Sequence, residues 1–141
     1  MKQTFLFFAV LLTLFSACGG SSETDATDDT ITGTLTSLQT NLFTPTCALS
    51  GCHSSSSQSG SLSLAAGESF GSLVGTAANE LPSMNRVTAN DTTKSYLIHK
   101  LEGTQSSAGG SGSRMPLGGS ALTEAEIQAT KDWINSGAKN N

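Results

Sequence analysis

Hydrophobic and polar positions divide the chain into an apolar head, a polar strip and a domain built from short amphipathic stretches. From Phe5 to Phe15 the side chains are apolar except for Thr13. That run falls well short of the roughly 20 residues a membrane-spanning helix needs, and with Lys2 ahead of it and small residues behind it reads as a secretory leader. Residues 19–30, GGSSETDATDDT, hold four acids and nothing apolar larger than alanine. They predict a flexible tether with a mean reach of about 20 Å. Order is expected from Ile31, because Ile31, Leu35, Leu38 and Leu42 recur at helical spacing, and Pro45 should close that helix just before Cys47. After a Ser-rich loop, Phe70, Leu73 and Val74 suit a short helix. In KSYLIHKLEG the residues Tyr96, Leu97, Ile98 and Leu101 form an apolar stripe, capped by Asp91, Thr92 or Thr93 and stopped by Gly103. The loop 103–113 follows. Thr123 and Glu126 then make a capping box for a last helix through Ala129, Trp133 and Ile134, ending at Gly137. The pattern predicts an all-α domain with long Gly/Ser-rich loops and no strand.

The head ends in LFSAC, which resembles a bacterial lipobox and implies a leader over 1–17 with Cys18 lipidated as the mature N-terminus. Residues 18–30 are then tether and 31–141 a single domain. With 7 basic against 11 acidic side chains the chain is acidic, and it offers no basic surface for nucleic acid. Beyond the leader the only aromatics are Phe43, Phe70, Tyr96 and Trp133. So little apolar material makes a thin core, and a large buried cofactor would help the chain fold.

With Cys18 assigned to lipid, Cys47 and Cys52 remain as one pair in an oxidising space. They stand in CALSGCH, directly before His53. Covalent haem attachment needs two thiols that reach the vinyl groups on one porphyrin edge and a histidine immediately after the second; its usual spacing is Cys-x-x-Cys-His. Here the interval is two residues longer, while the Cys52–His53 adjacency is kept and Gly51 supplies backbone freedom where the extra chain rejoins. Two plainer readings compete: a short-loop disulfide between Cys47 and Cys52, and a zinc site using Cys47, Cys52, His53 and His99. Met115-Pro116 in RMPLGG tilts the balance, because proline fixes the local chain and a methionine thioether serves as the second axial ligand of a low-spin haem. Met84 and His99 are the rival ligands; Met84 lacks a following proline, and His99 lies off the Leu97/Leu101 face. Ser54 to Ser57 show no catalytic partner.

From LFTPTCALSGCH through MNRV, SYLIHKLEG and RMPLGGSALTEAEIQATKDWINSGA, residues 31–141 resemble the small class I c-type cytochrome domains of bacterial envelope lipoproteins. The resemblance implies a cytochrome c-like helical domain around one covalently bound haem c, anchored at Cys47 and Cys52. It further implies His53 and Met115 as iron ligands and a last helix packed on the first; the Arg114 guanidinium, for its part, suits a haem propionate or reads as an exposed arginine beside a loop. The function implied is single-electron transfer between redox proteins of the envelope, with the lipid anchor holding the domain to a membrane, periplasm-facing or in the outer membrane. A haem sensor or weak peroxidase would follow if Met115 left the iron, and a non-haem lipoprotein stapled by Cys47–Cys52 is the alternative outside haem chemistry.

Overall fold

The computed structural model describes residues 30–141. The expected leader, the lipidation of Cys18 and nearly all of the tether lie outside them. Helix α1 (Leu35–Leu38) starts at Thr34, whose hydroxyl accepts from Ser37 N at 3.2 Å. It runs straight into a π-helical segment, Gln39–Cys47, that carries Pro45 within it. The expected stop at Pro45 is therefore replaced by a change of pitch. Proline cannot donate to a carbonyl and its ring crowds the α-helical acceptor; the wider turn relieves the crowding and delivers the chain as far as Cys47. Ala48 N closes the segment on Phe43 O at 2.7 Å.

Helix α2 (Ser69–Leu73) is followed by strands β1 (Ala77–Ala78) and β2 (Leu81–Asn85), then by α3 (Tyr96–Glu102) and α4 (Glu124–Asn135). The all-α, cytochrome c-like expectation is overturned here. β1 and β2 pair antiparallel across the two-residue turn Asn79-Glu80, with a bulge between Ala77 and Ala78, and Val74 and Val87 add an isolated parallel bridge. Nor do the described residues contain a cluster of three or more His, Cys, Asp or Glu side chains about which a metal-centred fold would be organised. The hairpin left no periodic trace in the sequence. LPSMN does not alternate and contains Pro82, tolerated because both strands of a two-stranded sheet are edges.

The core joins Leu35, Leu38, Leu42 and Phe43 to Leu73, Val87, Leu97, Ile98, Trp133 and Ile134. Trp133 is fully buried, and its indole donates to Lys139 O at 2.8 Å. Helix α4 packs on α1 and α3. The chain entering α1 lies so close to it that a Cβ on Gly33 would sit 2.7 Å from Asp132 Cβ and 3.1 Å from Trp133 N. The expected capping box is present: Glu126 N donates to Thr123 Oγ1 at 3.3 Å and Thr123 N to Glu126 Oε2 at 2.7 Å.

Ser95 stands at the start of α3 but makes no capping bond to the helix; its hydroxyl instead donates to Asp91 O at 2.7 Å. Asp91 organises the turn before it, accepting from Thr93 Oγ1 at 2.7 Å, Thr93 N at 3.0 Å and Lys94 N at 3.1 Å. The Thr93 bond first, and Lys94 second, pull the carboxyl down from 3.8 to about 2. A depressed folded pKa stabilises above the unfolded value and loses that contribution as pH falls through the folded one. The stability difference between Asp91→Asn and the parent, read from urea melts, should therefore be constant above about pH 4 and shrink as pH approaches 2. A difference independent of pH would deny the carboxylate any role as a charge.

Candidate functional site

The wide final turn of the π-helical segment presents Leu42, Phe43, Pro45 and Cys47 to a cavity of about 680 Å³. Leu64, Leu73, Leu97, Leu101 and Leu122 from four other stretches complete an apolar wall. The same cavity is lined by Cys52, His53 and Met115. All four residues that the sequence singles out for thioether and iron-ligand chemistry are thus brought to one place.

Local hydrogen bonding explains how the thiol segment is held. Cys52 N donates to Leu49 O at 2.9 Å, closing a turn in which Gly51 takes φ 79°, a left-handed backbone that costs other residues about 1–2 kcal/mol. Gly51 therefore serves as the sequence suggested. His53 is pinned on both sides: its N–H donates to Cys47 O at 3.1 Å and its carbonyl accepts from Leu64 N at 2.7 Å. The ring nitrogen Nδ1 is buried and has no hydrogen-bond partner. At the other ligand candidate, Met115 N donates to Lys100 O at 2.8 Å, fastening the methionine to the last turn of α3, and its partly buried side chain packs on the core.

Arg114 does not line the cavity. Its stem packs against Gly103, its Nη2 donates weakly to Gly119 O at 3.4 Å, and its Nη1 is buried without a partner. Two cations do line the cavity: Lys100, paired with Glu80, and Arg86, which the sequence reading passed over. Arg86 is 7% exposed and donates through Nη1 to Ser72 O at 2.8 Å and through Nη2 to Gly60 O at 2.9 Å and Asn79 Oδ1 at 3.3 Å. Among the described residues it has no carboxylate partner, and burial pushes its pKa below the usual guanidinium value. The signal in the sequence was slight: one arginine flanked by Asn85 and the wholly buried Val87.

The rivals are elsewhere. Met84 lies on β2 and His99 bonds Thr104 Oγ1 at 2.9 Å and Thr93 O at 3.3 Å; neither lines the cavity. His99 is thereby separated from the thiols, and the described residues hold no cluster of His, Cys and acidic groups suited to a zinc ion. Among the described residues the Ser54 hydroxyl bonds only to its neighbours Ser56 and Ser57.

Cys47 and Cys52 are not joined to each other. Their environments differ sharply. Cys52 is exposed, whereas burial, then the Glu126 carboxylate, then Cys52 push the Cys47 thiol up to about 12. No protein-family model, curated protein or solved structure matches the chain.

A thiol held so high carries almost no thiolate at pH 8, and only part of that loss is offset by the greater nucleophilicity of a more basic sulfur. In polypeptide made without haem, iodoacetamide should therefore label Cys47 on the order of 100-fold more slowly than the exposed Cys52. Glu126→Gln should narrow the gap. Peptide mass spectrometry gives both rates, and equal labelling would mean that the wall around Cys47 is not closed in that polypeptide.

Proposed function

We propose that the chain is a monohaem c-type electron carrier, with haem joined to Cys47 and Cys52 and its iron held by His53 and Met115. One observation carries this reading: two thiols and an imidazole from the stretch 47–53 and the thioether of the distant Met115 line a single apolar cavity. Its volume, about 680 Å³, falls within the roughly 300–1,000 Å³ of small-molecule and cofactor sites.

One orphaned ring nitrogen and one unneutralised cation suit the same occupant. Among the described residues the buried Nδ1 of His53 has no partner, and the Arg86 guanidinium is a buried cation without a carboxylate. An unpaired buried ring nitrogen is costly, and a buried cation whose hydrogen bonds go to neutral acceptors keeps its charge unneutralised; a cofactor with iron and carboxylates suits both. Haem iron takes four ligands from the porphyrin and needs only one nitrogen and one sulfur from the polypeptide, so no cluster of His, Cys and acids is required. Arg86, from the cavity wall, is the residue placed to neutralise a propionate.

When bound, haem supplies a one-electron couple between ferric and ferrous iron. His53 and Met115 would hold the iron between them, which would leave it no place for a substrate and make the activity electron transfer rather than catalysis. A thioether ligand would favour the ferrous state, and the apolar wall of Leu42, Phe43 and Leu97 would limit water in the cavity, so both would raise the potential. Lipid at Cys18 would keep the domain beside membrane redox partners of the bacterial envelope and raise their effective concentration.

The test is a reduced pyridine haemochrome spectrum, after acid-acetone extraction, of protein made in a host that matures haem c. Haem retained on the chain with both vinyls saturated supports the reading. Colourless protein, or haem lost to the solvent, sinks it and leaves a non-haem lipoprotein with a Cys47–Cys52 disulfide. Within the haem-loaded protein, Met115→Ala should keep the haem attached, admit carbon monoxide, and lower the potential by on the order of 100 mV, a fraction of the roughly 0.8 V that axial ligands span.

A further inference from the structure

Met115 follows a stretch, 103–113, that is rich in glycine and serine and has no regular structure. Such a segment has little propensity to hold a ligand in place by itself. It is held from outside. Tyr96 OH accepts from Ser111 N at 3.2 Å and donates to Glu80 Oε2 at 3.1 Å. The same Glu80 oxygen accepts from Lys100 Nζ at 2.6 Å, and Lys100 in turn holds Met115 through its main-chain carbonyl. Tyr96 and Lys100 are one helical turn apart on α3, while Glu80 comes from the β1–β2 turn. All three line the cavity. The strap lies against them so closely that a Cβ on Gly110 would strike Tyr96 OH and one on Gly112 would strike the Glu80 carboxylate.

Resting on the haem reading above, we propose that Glu80 is a positioning residue for the distal ligand: with Tyr96 and Lys100 it latches the 103–113 strap and so keeps the Met115 sulfur at the iron. Glu80 does not touch the cofactor in this role; it acts through the strap. The Lys100 side chain is 10% exposed and that of Glu80 38%, so the pair is partly shielded from water and its hydrogen bond is charge-assisted. Burial, and after it the bond to Glu80, raises the Tyr96 phenol, which keeps the hydroxyl protonated and able to donate.

The experiment compares Glu80→Gln, Gly112→Ala and Glu102→Gln with the parent in the full, haem-loaded protein. Glu80→Gln removes the latch charge; Gly112→Ala opens the latch sterically with every charge retained; Glu102→Gln breaks the Lys131–Glu102 pair, another short ion pair of partial exposure. Amide exchange at Ser111 and Met115 should quicken roughly tenfold in the first two variants and not in the third, the size expected for one lost charge-assisted hydrogen bond. In the same two, the sulfur-to-iron charge-transfer band of the ferric protein should weaken and carbon monoxide should bind the ferrous protein faster, with haem content unchanged. Parent-like exchange and sulfur band in Glu80→Gln, or an equal loss in Glu102→Gln, would overturn the latch while leaving the haem reading intact. A parent chain without covalent haem overturns the role toward the iron, whereas the exchange data still report whether Glu80 holds the strap.

Discussion

The Arg86 guanidinium donates to the carbonyls of Gly60 and Ser72 and to Asn79, and its own main chain bonds Thr76 and Leu97. The loop after His53, helix α2, the hairpin turn and the start of α3 therefore converge on one residue. Each of these stretches contributes residues to the cavity, yet none is long enough to fix its place by packing alone. A buried cation demands acceptors, and carbonyls from irregular chain are the acceptors at hand. The need to satisfy Arg86 thus organises the half of the molecule where helices are scarce, and the shape of the cavity follows from it.

The other half is organised by apolar contact. Trp133 and Ile134 on α4 meet Leu35 and Leu38 on α1, and the bare backbone at Gly33 lets the two elements close up. At the near end of α4, Glu126 completes a capping box while its charge bears on Cys47. Burial first, and this carboxylate after it, keep the Cys47 thiol protonated, so one side chain links the start of a structural helix to the chemistry of a thiol.

How much of this was legible in the sequence depended on whether a feature was local. Helices α3 and α4, the Thr123–Glu126 cap, the ends at Gly103 and Gly137 and the role of Gly51 rest on neighbours within a few positions, and the chain shows them. The convergence of Cys47, Cys52, His53 and Met115 was inferred from residue types at suggestive spacing, and the cavity unites them. The hairpin was missed because β2 is held by Arg86 and Val87 reaching into distant segments, not by alternation along itself. For the same reason the sequence points to Arg114, conspicuous beside Met115, while the arginine that lines the cavity is Arg86. A guanidinium's partners here are main-chain carbonyls, and these carry no mark in a sequence.

The π-helical pitch of Gln39–Cys47 bears on which length changes the chain can absorb. A π turn takes in about one residue more than an α turn, and one residue of helix is about 100° of rotation. Replacing Pro45 and deleting a single position between Leu38 and Cys47 would together move the segment toward ordinary α geometry, a local gain in regularity, while swinging Cys47 off the cavity wall. Helix quality and thiol placement are set against each other in this stretch, so a variant chosen only for a better helix would discard the placement that the irregular one maintains.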